Sequence, residues 1–374
     1  MAGAILTINL SRLVENWRFF NEACRASPDD AVGSPLTEVA AVVKADAYGL
    51  GAIEVGKALW AAGCRRFFVA HGSEGAALRE TLAEAEIFVF HGALLGEEES
   101  FKSARLIPVL NSEEAALRWA EFADKSGYRP AAIQVDTGMN RLGFSANEFN
   151  RFIQADAFLD QVDLKLIMSH LAVADDHGSP QNEQQRLLFE RLVSQLPEGL
   201  KSVPCSLANS AGVLLGAGYH YDIARVGIGL YGGNPFTGVP NPMKAVVKLE
   251  AEILQRREIE AGEAVSYGGV WQAERRSQIA TIGVGYADGY LRLGGEQGFV
   301  MIGGKAAPIV GRVTMDLIMI DVTDIEERLS RPGCFVELLN DELTVDDVAA
   351  WSGTIGYEVL TALGGRYERR YIDS

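Results

Sequence analysis

Apolar positions along this chain fall first into short runs separated by longer stretches with helical spacing. Between residue 38 and about residue 232 there are eight runs rich in β-branched and aromatic residues: EVAAVV, RFFVA, EIFVF, ARLIPVL, AAIQVD, LKLIMSH, SVPCSL and ARVGIGLY. A strand buried on both faces reads as a near-continuous apolar run, as parallel strands do. Strand followed by helix, eight times over about 200 residues, predicts a parallel (β/α)8 barrel rather than a sandwich or a bundle. The helical stretches are less sharply patterned. In Ile53 to Ala62, the set Ile53, Gly56, Lys57 and Trp60 and the set Val55, Ala58 and Leu59 are both candidate faces.

Residues 233–243, GNPFTGVPNPM, crowd glycine, proline and asparagine into a segment that sustains neither helix nor strand. Beyond it come β runs joined by glycine-rich turns (AVVKLEAEILQ, SQIATIGVGY, GFVMIGG, APIVGRV, LIMIDVT, CFVELL) and one late helical stretch, Val345 to Trp351. The expected organisation is an α/β barrel domain over residues 10–236 and a mainly β domain over 237–374, which the N-terminal strand, residues 1–9, is free to join. There is no repeat of solenoid length and no low-complexity tract.

At 374 residues the chain exceeds the size at which one core usually stops growing, which agrees with two domains. Its 50 acidic and 34 basic residues leave a formal charge of −16, which repels polyphosphate and argues against a nucleic-acid partner. The opening MAGAILTINLSRLVENWRFF has no basic stretch before an apolar run and carries Asn9, Arg12 and Glu15, so it reads as neither a secretory signal nor a membrane span; the expected location is cytoplasmic. Cys24, Cys64, Cys205 and Cys334 are scattered, without C-x-x-C or histidine at ligand spacing. They are read as buried reduced thiols, and no metal site is assigned.

Lys44 follows the first barrel run directly, at the C-terminal mouth where barrel enzymes keep their chemistry. Val42, Val43 and Ala45 around it would desolvate the ammonium, lower its pKa and favour the free amine that forms Schiff bases. The eighth run continues into RVGIGLYGG, where glycines let backbone N–H groups approach an anion, and the seventh ends in LANSAG, with Asn209 and Ser210 as short polar groups near it. Taken singly, the lysine is also compatible with an ordinary exposed side chain, and the glycine loop with a plain turn.

Together with VDTGMNRLGF, SHLAVAD, VSYGG, IGVGYADGY, GRVTMD and TIGYEVL, these segments resemble the alanine racemases along nearly the whole chain, and in the family's order. The resemblance implies a pyridoxal 5'-phosphate enzyme that interconverts L- and D-alanine by two-base proton transfer at Cα and supplies D-alanine for peptidoglycan. Lys44 is implied as the Schiff-base lysine and one base, and Tyr267 as the other. Tyr48, Ser210, Gly227, Ile228 and Tyr357 match the phosphate-holding positions. Arg225 matches the arginine facing the pyridine nitrogen, with His170 and Asn209 beside it. Arg141 and Met315 match the substrate-carboxylate group, while Asp175, Tyr286, Arg292, Arg312 and Ile355 resemble the residues of the access corridor. The resemblance further implies a homodimer, each site pairing Lys44 of one subunit with Tyr267 of the other.

The chemistry is consistent with this assignment. Racemisation removes a proton from one face and returns it to the other, so two opposed bases suffice. Tyrosine has an ordinary pKa near 10, so a base role requires nearby positive charge, for which the His170 and Arg225 pair is the candidate. Two departures stand out. Many relatives carry a carboxylated lysine where this chain has Gln134, an uncharged amide, leaving Arg141 to be set by Gln134 itself, a small anion or a neighbouring side chain; and Thr314 stands where a cysteine is common. The alternatives are a racemase of broader range, such as one acting on serine, a basic amino-acid decarboxylase of the same fold, and a non-catalytic pyridoxal-phosphate carrier. Tyr267 and Arg225 speak against the decarboxylase, and the long β-domain against the carrier.

Overall fold

The computed structural model describes residues 3–25, 37–153, 161–295 and 297–373; residues 1 and 2 of the expected N-terminal strand lie outside the described residues. The chain opens with β1 (Ala4–Asn9) and a helix, Leu10–Arg25, that buries Leu13, Trp17, Phe20 and Cys24. Each of the eight barrel runs then forms a strand: β2 (Glu38–Val42), β3 (Arg66–Val69), β4 (Glu86–Val89), β5 (Ile107–Leu110), β6 (Pro130–Gln134), β7 (Asp163–Met168), β8 (Cys205–Ser206) and β9 (Ile223–Val226).

These strands pair in parallel in the order β8-β7-β6-β5-β4-β3-β2-β9. Backbone bonds from Asp222 N–H to Cys205 O (3.0 Å) and from Arg225 N–H to Ala208 O (2.9 Å) close the circle. Inside, Phe68 stacks on Phe88 and Phe90 with centroids 4.7 and 5.2 Å apart. Several strands end before their apolar runs do, as β4 does at Val89 ahead of Phe90 and β9 at Val226 ahead of Ile228, whereas β5 starts late in its run and ends with it. The helix Ala52–Ala62 buries Val55, Gly56 and Leu59, a face that combines the two read from its spacing.

Residues 233–243 hold no helix or strand. They are tied down by Asp346, whose carboxylate accepts from Asn234 N–H (2.9 Å) and Asn241 Nδ2 (3.2 Å). Beyond lie β10 (Val247–Ile259), the short β11 (Ala264–Val265) and β12 (Trp271–Gln272), β13 (Ser277–Ile282), β14 (Phe299–Ile302), β15 (Lys305–Pro308), β16 (Ile318–Asp321), β17 (Phe335–Leu339) and β18 (Glu368–Ile372). The main path of this sheet runs β15-β14-β17-β10-β1-β18. β1 is antiparallel to β10, with Leu6 opposite Leu249, and parallel to β18, with Leu6 opposite Arg369. The first strand of the chain therefore belongs to the sheet built from its end.

Among the elements with no counterpart in the hydrophobic pattern are the helix Gly356–Ala362 and β18. β18 reads ERRYI and is partly exposed along its whole length, so it carries no apolar run. The run APIVGRV yields a strand only as far as Pro308, followed by a single bridge from Ile309 to Ile320. Cys24, Cys64 and Cys205 are buried and Cys334 half-buried, all as free thiols. Among the described residues no helix is long and apolar enough to cross a membrane.

Candidate active site

A cavity of about 410 Å³ opens where the barrel strands end. Of the residues singled out in the sequence it gathers Lys44, Tyr48, Arg141, His170, Asn209, Ser210, Arg225, Gly227, Ile228 and Tyr357. Gln134 lines it too. So do Ala70, Phe90 and His91, at the ends of β3 and β4, which the sequence reading does not name. They were legible only as ends of apolar runs, and the closed circle of strands is what turns those ends toward Lys44.

Lys44 leaves β2 into a turn, Lys44–Gly49, of unusual hand: Ala45, Asp46, Ala47 and Tyr48 all have φ between 53° and 55°. Left-handed backbone costs an L-residue about 1–2 kcal/mol, so four in succession must be held by their surroundings. Glu74 Oε1 accepts from Ala45 N–H (2.7 Å), and Asp46 Oδ1 accepts from Ala52 N–H (2.8 Å). The other Glu74 oxygen accepts from Ala70 N–H (2.8 Å) and His71 N–H (3.1 Å). At Gly49, φ +84, a side chain would strike the backbone of Leu360 at 2.6 Å, so the turn lies directly against the helix Gly356–Ala362. Glu74 thus anchors the lysine turn, a role its place two residues into the helix Gly72–Thr81 did not announce.

The Lys44 ammonium lies 5.8 Å from the centre of the Phe90 ring. Burial holds its pKa below the ordinary lysine value, the charge of Arg141 adds to this, and Glu74 opposes both. The amine is thereby shifted toward the free base, the form that attacks a carbonyl.

Opposite, Arg225 is 2% exposed. It donates to Ser206 Oγ, to Ser169 O (2.5 Å) and to His170 Nδ1 (3.3 Å), while its Nε–H has no partner. Burial brings its pKa down to about 9, so it remains a cation at neutral pH. Desolvation, followed by the charges of Arg225, Arg141 and Lys44, drives His170 down to about 3. This corrects the expectation that His170 and Arg225 together supply positive charge: the imidazole is neutral and only the arginine contributes.

The rest of the wall is tightly packed. Tyr48 stacks on Tyr231 with centroids 4.5 Å apart and lies 5.9 Å from the Tyr357 ring. Burial pushes the Tyr48 phenol up, and burial with Asp175 and Asp346 raises Tyr357 to about 12. A Cβ on Gly227 would meet the Tyr48 hydroxyl at 2.3 Å, so the hydroxyl lies against bare backbone. Ser210 Oγ accepts from Gly227 N–H (2.9 Å), which keeps its own O–H free to donate. The amide oxygen of Asn209 caps the helix Ser210–Leu214 by accepting from Gly212 N–H (2.8 Å), which leaves its amide N–H groups to donate.

Seven predicted residues do not line this cavity. Tyr267 is 73% and Met315 55% exposed, and Tyr286, Arg292 and Arg312 belong to the same β-domain. Tyr286 N–H donates to Thr314 O (3.0 Å), and Ser266 Oγ to Arg312 O (2.7 Å), which binds these loops into one face. Ile355, by contrast, lines a recess shared with Lys44, Tyr48 and Tyr357, and Asp175 lies near enough to Tyr357 to raise its pKa. Within one chain, then, the amine half of the predicted site is assembled at the barrel mouth and the tyrosine half is displayed elsewhere.

A cavity at the C-terminal ends of the barrel strands, with a β-domain appended to the barrel, defines the class as a barrel enzyme with a β-domain. The chain belongs to the alanine racemase family, whose members are isomerases: the family's N-terminal domain matches residues 8–235 and its C-terminal domain residues 246–371. It is 45% identical over 372 residues to the alanine racemase of Rhodospirillum rubrum, covering 99% of this chain and 96% of that one. To the alanine racemase of Rhizobium meliloti it is 43% identical over 382 residues, covering 99% and 97%. It is similar to the crystal structure of alanine racemase from Bartonella henselae with covalently bound pyridoxal phosphate, with a TM-score of 0.91, 39% identity and full coverage of both chains.

Proposed function

We propose that this chain interconverts L- and D-alanine with pyridoxal 5'-phosphate held covalently by Lys44, and that Lys44 and Tyr267 are its two bases. The observation that carries the reading is the pairing, across one cavity, of a desolvated amine at Lys44 with a buried arginine whose Nε–H is unsatisfied. A buried donor without a partner costs about 1–3 kcal/mol, so the site fits a ligand that brings an acceptor to Arg225. Bare backbone at Gly227, the free O–H of Ser210 and the hydroxyls of Tyr48 and Tyr357 suit a phosphate.

Bound there, pyridoxal phosphate supplies the sink for the electron pair left at Cα when its proton departs. The residues do the rest. Arg225 has only donors to offer, so it stabilises an acceptor without surrendering a proton to it. Arg141, at the cavity wall, receives the substrate carboxylate. Lys44 holds or releases the Cα proton on its side, and Tyr267 does so on the opposite side. Since Tyr267 and Met315 stand exposed on the β-domain with Val270 and Leu293, also exposed, we assign them to the site of a second copy in a homodimer.

Incubation with pyridoxal phosphate and L-alanine tests the reading: D-alanine accumulates to equal amounts with L-alanine and no carbon dioxide is evolved. Carbon dioxide release would favour a decarboxylase, and cofactor binding with no turnover a carrier.

A further inference from the structure

The loop from Asp136 to Phe144 carries Arg141 to the cavity, and its backbone is unusual: Gly138, Asn140 and Gly143 have φ of +133°, +56° and +116°. Its ends are joined by Asp136 N–H donating to Phe144 O (2.8 Å), and the span between them takes further support from outside. Its guanidinium gives no help, since among the described residues no carboxylate lies within the 4.0 Å of an ion pair with Arg141. Gln134 does not touch the guanidinium either; its Nε2 donates to Leu142 O at 2.9 Å.

Two more glutamines grip the other side of the loop, both from the helix Pro180–Ser194. Gln181 Nε2 donates to Gly138 O (3.1 Å). Gln185, 1% exposed, donates to Thr137 Oγ1 (3.2 Å) and His170 O (3.0 Å) and accepts from Ala172 N–H (2.8 Å). Thr137 is bonded in turn to Ser169 (2.8 Å), the residue whose carbonyl receives Arg225. Asp136 Oδ1 closes the turn by accepting from Gly138 and Met139 N–H groups.

We infer that Arg141 is positioned by three carboxamides, Gln134, Gln181 and Gln185, that hold its loop by the backbone and by Thr137, in place of a counter-charge on its guanidinium. Gln134 and Gln181 bond carbonyls on either side of Arg141, and Gln185 ties the same loop to the His170 loop. Amides do not titrate, and they leave the guanidinium without an internal acceptor, free to meet a carboxylate. These glutamines are positioning residues. Their effect on alanine rests on the reading of Arg141 as the carboxylate receiver.

The test uses Gln134→Leu, Gln134→Glu and, with little burden on folding, Gln181→Ala, in the holoenzyme. Two quantities are measured: amide hydrogen exchange across residues 136–144, and the alanine KM together with the inhibition constant of propionate, a carboxylate without an amine. Exchange accelerates in that loop alone, and KM and the propionate constant rise together by about tenfold, the scale of one lost buried hydrogen bond, with kcat and cofactor absorbance little changed. Gln134→Glu behaves like Gln134→Leu, because a carboxylate has no N–H for Leu142 O. Unchanged exchange in folded variants overturns the clamp. Faster exchange with unchanged KM and propionate affinity leaves the clamp standing and overturns Arg141 as the carboxylate receiver.

Discussion

Arg225 donates to Nδ1 of His170 at 3.3 Å, so the imidazole carries its own proton on Nε2 and stays neutral beside a buried cation. The folded-state pKa of about 3 lies below the ordinary histidine value near 6.5. Between those values the unfolded chain binds a proton that the folded chain refuses, so stability is lost as pH falls through that window and is unaffected by this group above it. His170→Asn removes the titration. Thermal melts of the apoprotein from pH 7 to pH 4 should fall less steeply with acid in the variant than in the parent; parallel slopes would mean that the imidazole is already protonated in the folded state.

Lys44→Ala should remove the visible absorbance of bound pyridoxal phosphate and essentially all racemisation, because the same amine attaches the cofactor and acts as a base. Borohydride treatment followed by mass spectrometry locates the attachment. A cofactor still fixed by reduction in the variant would move the assignment to another lysine.

Tyr267→Phe should keep cofactor absorbance and lower racemisation by about 10²–10⁴-fold, the usual worth of a general base. Solvent deuterium exchange at Cα should survive better for one enantiomer than for the other. Equal loss for both would contradict one base per face.

Mixing separates the two halves of the site. Lys44→Ala and Tyr267→Ala should each be nearly inactive as pure dimers. In a mixed dimer both lesions fall in one site and the other is intact, so random reassembly restores about a quarter of the wild-type sites under two-fold symmetry. No recovery, with subunit exchange demonstrated by native mass spectrometry, would place both bases in one chain.

Activity should be indifferent to bicarbonate. Lys44 is the only lysine among the described residues lining the cavity, so none is left to be carboxylated beside Arg141. Activation by bicarbonate over a rising concentration series would show that another lysine has that role.

The sequence by itself determined the barrel, since eight apolar runs in alternation with helical stretches leave little other architecture, and it determined the family, since its segments resemble one family in order. Tertiary structure decided what those residues experience. The neutrality of His170 depends first on burial and then on a guanidinium 55 positions away in the chain, and the depressed pKa of Lys44 on burial and on Arg141. Four left-handed residues after Lys44 were invisible in ADAY, because nothing in those side chains requires that backbone; Glu74 and Leu360, from a helix of the barrel and a helix of the β-domain, hold it. That Lys44 and Tyr267 sit on different subunits was implied by the resemblance and not by the hydrophobic pattern, and the fold agrees only in that the two do not share a cavity within one chain. Patterning is local, within a few residues of each strand or turn, whereas desolvation and charge are set by whatever folding brings within a few ångströms.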